Sequence, residues 1–154
     1  MSLELEVQYA VRPEGTPDEA AFRRWATAAL ADREGDAGLV IRVVDESESQ
    51  ALNRDYRGRD RPTNVLSFPF EAPPGVPPEA AGHHLGDLVI CAPVVAREAR
   101  EQGKPLPAHW AHMVVHGVLH LRGFDHQDEA QAREMEGRER AILRDLGFDD
   151  PYSA

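Results

Sequence analysis

The chain has 154 residues, 42% of them hydrophobic and 29% charged. That length suits one compact domain with a sizeable core, and the composition excludes a disordered chain. A net charge of −10 argues against a protein that grips any polyanion through bulk charge, and the single cysteine, Cys91, excludes an internal disulfide.

The elements follow in chain order. "LELEVQYAV" alternates and reads as a strand. Its Glu4 and Glu6 stand where a signal peptide would carry basic and apolar residues. Asp18 or Thr16 is placed to cap a helix through "EAAFRRWATAALADRE", with Phe22, Trp25, Ala29 and Leu30 as its apolar stripe. "AGLVIRVVD" is a second strand, and "ESESQALNRDYRG" a short helix ending at Gly58. "TNVLSFPF" is a third strand, limited by Pro69. "EAPPGVPPEAAGHH" is a loop, long enough to suggest mobility or a role at a site. "LGDLVICAP" is a fourth strand, followed by a helix in "VVAREAREQGK". Pro107 suits the first turn of the next helix, "AHWAHMVVHGVLHLRG", which Gly123 stops. The last helix, "DEAQAREMEGRERAILRDLG", turns Met135, Ile142 and Leu146 inward. No repeat or second domain is visible across residues 1–154. The order lacks a strict βαβ rhythm, so the expected class is α+β: a small mixed four-stranded sheet packed with about five helices. The longest apolar stretches, such as "LVICAPVVA", are too short to span a bilayer. With the reducing environment that the lone cysteine suits, this makes a cytoplasmic location the expectation.

Three of the seven histidines fall in "HGVLHLRGFDH", residues 116–126. His116 and His120 are four apart on a predicted helix, which puts both imidazoles on one face, roughly 6 Å apart at Cβ. Such a pair can converge on one zinc ion, which takes imidazole nitrogen at about 2.0–2.1 Å. Gly123 permits the turn that delivers His126 as a third ligand. Three protein ligands leave one position open, the pattern of a catalytic site. His112 continues the stripe, but eight residues of helix span about 12 Å, too far to share an ion with His120. His109 and His112 are therefore read as packing, supporting or solvent-facing residues, and His83 and His84 as ordinary loop histidines.

The same spacing occurs in metzincin proteases, where a glutamate after the first histidine is the general base. Here that position is Gly117, which cannot move a proton. A carboxylate introduced at 117 is expected to stand beside the metal. Asp125 serves either to orient a ligand and assist proton transfer, or simply as a turn residue.

"NRDYRGRDRPTNVLSF" holds Arg54, Arg57, Arg59 and Arg61, the densest basic patch on an acidic chain. A metal with an arginine beside it suits phosphodiester cleavage. The interleaved Asp55 and Asp60 leave local Arg–Asp pairing as an equal reading.

"YRGRDRPTNVLSFPFE", "LGDLVIC", "HWAHMVVHGVLHLRGFDH" and "LGFDDPY" together resemble the bacterial YbeY family of ribosomal-RNA maturation endoribonucleases, over essentially the whole chain. The resemblance implies a single-domain α+β fold with one zinc ion, and single-strand-specific endoribonuclease activity in 16S rRNA 3′-end maturation and late ribosome quality control. It implies His116, His120 and His126 as metal ligands, and these with Arg57 as the catalytic set. The implied partners are single-stranded RNA of the 16S rRNA precursor and the ribosome or its small-subunit proteins, with neither membrane nor DNA. Two other readings remain: a metallopeptidase, which Gly117 disfavours, and a non-catalytic ribosome-assembly factor with a structural zinc.

Overall fold

A computed structural model describes residues 2–71, 73–77 and 82–152. The elements run β1 (Leu3–Tyr9), α1 (Glu19–Ala29), β2 (Ala37–Val44), α2 (Glu46–Arg57), β3 (Val65–Pro69), β4 (His84–Cys91), α3 (Ala92–Gln102), α4 (Leu106–Leu121) and α5 (Glu129–Asp145). The sheet has the order β1-β2-β4-β3. β1, β2 and β4 are parallel, and β3 returns antiparallel along the edge of β4. The expected α+β class, the four mixed strands and the five helices are all present.

Burial explains the order. β2 is apolar on both faces and lies inside the sheet, whereas β1 alternates and lies at one edge. On one face Leu39, Ile41, Leu88 and Ile90 meet Phe22 and Trp25 of α1 and Trp110, Val114 and Leu119 of α4. On the other, Val44, Leu66, Val89, Cys91 and Val94 form a smaller cluster with Leu52 of α2. Helix α4 runs through the middle, in contact with α1, α3, α5, β3 and β4. Almost every residue from His109 to Leu121 is buried, which fits a largely apolar helix whose one polar stripe is its histidines.

The helix ends follow their side chains. Asp18, not Thr16, caps α1 by accepting from the Ala21 amide at 2.9 Å, while Thr16 donates to the Pro13 carbonyl. Asp45 and Asp128 cap α2 and α5 in the same way. Pro107 lies in the first turn of α4. On α5 the inward line is Met135, Glu139 and Leu143, all buried, while Ile142 and Leu146 pack only partly against the core. The long proline-rich loop falls partly on residues 72 and 78–81, outside the described residues; Pro73–Gly75 form a turn, and His84 already belongs to β4.

The backbone approach that shapes the cleft wall is at Gly86, where β3 crosses β4. A Cβ there would stand 2.3 Å from the Phe68 carbonyl oxygen, 2.8 Å from Leu121 Cδ2 and 3.0 Å from Pro69 Cα. Its φ of +151° is also one that other residues rarely adopt. Gly86→Ala must therefore push β3 away from β4 and α4. It is expected to cost about 1–3 kcal/mol, read as a lower midpoint in urea. An unchanged midpoint would show that β3 yields freely.

Candidate metal centre

Helix α4 ends in a turn that carries the third histidine back. Arg122 caps the helix, Gly123 takes φ +98°, the Gly123 amide bonds to the His120 carbonyl at 3.0 Å, and the Phe124 amide to the Leu119 carbonyl at 3.0 Å. This is the Schellman pattern that a glycine past a helix end allows. Phe124 packs against the core. Arg122 donates to the Ala29 carbonyl and to Asp32, Arg138 donates to the other Asp32 oxygen, and the Arg138 guanidinium lies 4.4 Å over the Phe124 ring. The turn is thus tied to α1 and α5. The Asp125 side chain accepts from the His126 amide at 2.8 Å and fixes the last step.

The result is a tight group. Ring centroids are 4.7 Å apart for His116 and His120, 5.0 Å for His120 and His126, and 5.7 Å for His116 and His126. One nitrogen from each lies within 4.8 Å of the others, so the three can hold a metal ion. Among the described residues no hydrogen bond engages the ring nitrogens of His120 or His126, and His116 commits only Nδ1. Three converging imidazoles with nitrogen lone pairs to spare fit a borderline-soft divalent ion. They line an open cleft of about 730 Å³ with Arg57, Thr63, Asn64, Val65, Ser67, Pro69 and Asp125.

Arg57 reaches this cleft as the last residue of α2. The chain after it is clamped by two buried polar side chains: Ser49 bonds both ways with Thr63 at 3.0 Å, and Asn53 donates to the Arg61 carbonyl at 2.8 Å. Of the four arginines only Arg54 pairs locally, with Asp55, while Asp60 is taken by Gln50. Among the described residues Arg57, Arg59 and Arg61 have no ion pair, so Arg–Asp pairing accounts for one arginine of the patch.

Two readings change. Position 117 does not face the metal: a Cβ on Gly117 would stand 2.7 Å from Cδ2 of Leu88, a wholly buried residue of β4. A carboxylate there would enter the core instead of standing beside the ion. Glu139 joins the site although sequence reasoning does not select it. It is fully buried on α5, with Oε1 2.8 Å from His116 Nδ1 and Oε2 2.8 Å from His112 Nε2, and it accepts from the Tyr152 hydroxyl. Its signal in the sequence is an acidic residue four from Met135 and four from Leu143 on the inward line. His109 is likewise buried against a carboxylate, Glu98, which also binds Asn64 at the cleft wall. His109 and His112 are therefore buried against carboxylates, which fits the packing and supporting readings and not the solvent-facing one.

Burial works to raise the Glu139 carboxyl, but the His112 and His116 hydrogen bonds outweigh it and bring its pKa down to about 2. Burial lowers His112, against the pull of Glu139. Burial also lowers His120, helped by the neighbouring His116 and His126. The lowered His112 and His120 and the ionised Glu139 agree with the deprotonated ligands that metal binding requires. For both histidines the folded pKa lies below the unfolded value of about 6.5, so the unfolded chain binds more protons as pH falls through that value. Stability of the metal-free protein is expected to drop as pH is lowered through about 6.5 toward the lower folded values. A second loss follows below about 4.5, as Glu139 is protonated on the way to its folded pKa of about 2. Melting temperatures across pH 8 to 4 check this; a flat profile between 7.5 and 6 would contradict it.

Residues 12–147 match the family described as endoribonuclease YbeY. An endoribonuclease YbeY from Alkalilimnicola ehrlichii is 64% identical over 154 residues, covering 98% of this chain and 92% of its own. One from Methylococcus capsulatus is 65% identical over 136 residues, covering 88% and 87%. The solution structure of a Thermotoga maritima protein has a TM-score of 0.64 across 99% of both chains, at 23% identity, a likeness of fold alone. With the family match and such identity spanning nearly all of its length, the chain belongs to the endoribonuclease YbeY family.

Proposed function

We propose that residues 1–154 act as one zinc-dependent endoribonuclease that cuts single-stranded RNA in the cytoplasm, in 16S rRNA 3′-end maturation and late ribosome quality control. The observation that carries this reading is that Arg57, free of ion pairs among the described residues, opens onto the same cleft as His116, His120 and His126. The names of the relatives, endoribonuclease YbeY, agree with it. The substrate is the 16S rRNA precursor, and the ribosome or its small-subunit proteins supply affinity that an acidic protein lacks. DNA and membranes are not partners; among the described residues no helix is long and apolar enough to cross a membrane.

The roles follow from chemistry. His116, His120 and His126 hold the ion and leave a position toward the cleft. A bound zinc ion supplies Lewis acidity that activates water and polarises a phosphoryl oxygen. The Arg57 guanidinium binds the scissile phosphate through its planar fork and meets the charge that develops on it. Asp125 spends one oxygen on the His126 amide, which leaves the other to take a proton at the cleft. Asn64 and Ser67 offer polar groups to the sugar–phosphate chain.

Arg57→Ala is expected to keep fold and metal and to lose about 10²–10³ in kcat on single-stranded RNA, with Arg57→Lys recovering only part. Cleavage at the wild-type rate by the alanine protein would make Arg57 an ordinary surface charge. His116→Ala is expected to lose zinc and melting temperature together, because an ion that binds only the folded state stabilises it. Metal analysis and calorimetry read this directly, and full zinc occupancy in the mutant would remove His116 from the ligand set. Efficient casein cleavage by the wild type, abolished by chelator, would favour the peptidase reading instead.

A further inference from the structure

Behind the metal centre, on the side away from the cleft, lies a group of polar side chains that the reaction does not use. Glu139 is wholly buried between Met135 and Leu143 on α5. Burying a carboxylate is costly unless it is fully bonded, and replacing it with an apolar residue is often neutral for stability. This one has three partners: His116 on Oε1, and His112 and Tyr152 on Oε2. The Tyr152 hydroxyl lies 3.3 Å from His112 Nε2, so Oε2, the hydroxyl and the ring nitrogen form one knot.

Donor counting fixes the protons. An ionised carboxylate has none to give, so each partner must donate to it. His116 then carries a proton on Nδ1, so that the neutral ring has its lone pair on Nε2, at the opposite side. His112 carries its proton on Nε2, and its buried Nδ1 has no partner among the described residues. His112, His116 and Glu139 also have the composition of a metal site. Their 2.8 Å contacts are hydrogen bonds, however. Two ligands at about 2.0–2.1 Å from a tetrahedral zinc stand roughly 3.3 Å apart.

We propose that Glu139 is a positioning residue for the metal centre. Its carboxylate locks the His116 ring in one tautomer and one orientation, with Nε2 presented to the ion, and His112 and Tyr152 hold the carboxylate in place. An outer carboxylate of this kind raises the basicity of the ligand histidine and removes the need to orient it on binding. The proposal rests on the three-histidine metal reading above, and its test separates the two.

The test compares wild type, Glu139→Gln and Tyr152→Phe. Zinc affinity is measured by competition with a chromophoric chelator. Histidine tautomers are read in the metal-free, 15N-labelled protein from long-range 1H–15N spectra, with His116 assigned through His116→Ala. Melting temperature is recorded alongside. The expected wild-type spectrum shows His116 protonated at Nδ1. Glu139→Gln is expected to bind zinc about 10- to 100-fold more weakly and to show His116 as a mixture of tautomers. Tyr152→Phe, which removes one donor at a half-exposed position, is expected to weaken zinc by a smaller factor with its fold intact. A Glu139→Gln protein with wild-type affinity and an unchanged His116 tautomer, altered only in melting temperature, would reduce Glu139 to a folding element. If that protein does not fold, unchanged affinity and spectrum in Tyr152→Phe overturn the proposal. If wild type binds no zinc, the metal reading itself fails, and the positioning role with it.

Discussion

Helix α4 can lie against β4 only because residue 117 has no side chain. The virtual Cβ of Gly117 falls 2.7 Å from a Leu88 methyl that is itself wholly buried, so neither partner has room to retreat. That contact sets the rotation of the helix. Successive residues lie about 100° apart around a helix axis. Pinning 117 on the sheet therefore turns His116 sideways, and His120, one turn on, follows it. Both look into the cleft that the edge strand β3 walls on the other side, where Ser67 reaches the Gly117 carbonyl at 3.4 Å. The metal centre, the cleft and the place of β3 all depend on this one close approach.

The same helix carries His109, His112, His116 and His120, and depth decides what each can do. His109 is buried and bonded to Glu98. His112 is buried and bonded to Glu139. His116 is half-buried, with one nitrogen on Glu139 and the other side of the ring open to the cluster. His120 has no hydrogen bond to its ring among the described residues and lies with His126, which is exposed. The series runs from a closed polar interior to an open ligand site. A buried imidazole needs a partner to offset its lost hydration, and α3 and α5 each bring one carboxylate to supply it. Toward the cleft that supply stops, and the nitrogens are left for an ion.

Legibility in the sequence follows the range of the interaction. His116, His120 and His126 are readable because a helix turn and a glycine stop are local, and a short stretch of chain contains the whole geometry. The capping aspartates are readable for the same reason. Arg57 stands out by charge on an acidic chain and by the motif around it, but the path of the chain after it, which helps wall the cleft, is held by Ser49 and Asn53 bonding to Thr63 and Arg61, which spacing does not reveal. Gly117 reads, by analogy with a protease motif, as a gap beside the metal. A motif gives the angle of a residue on its helix; what lies at that angle depends on docking, and here it is Leu88. Glu139 is 23 positions from His116, and only the packing of α5 on α4 joins them. Even so, a glutamate in the middle of the line Met135–Glu139–Leu143 breaks the apolar pattern of an inward helix face. Such a break is itself a sign that a polar partner waits in the core.

The third ligand arm bears on how binding and folding are divided in this protein. A small zinc module whose ligands lie on loose loops must spend binding free energy on ordering them. Here the arm from Leu121 to His126 is already ordered by the protein. Two backbone bonds close the turn at Gly123, Phe124 packs partly buried against the core, and Asp32 ties Arg122 and Arg138 across α1 and α5. The Arg122 bond holds the Asp32 carboxyl below its ordinary range, with Arg138 adding to it. Its exposed carboxylate makes each ion pair a modest contributor on its own. The turn bonds and the partly buried Phe124 ring supply the rest. With His116 and His120 on a helix gripped by the sheet, all three imidazoles stand near their places before an ion arrives. An ion bound there would order little chain, and more of its binding free energy would appear as affinity. The chain that follows Arg57 has a clamp of its own in Ser49 and Asn53, so the two sides of the cleft are held by separate parts of the fold.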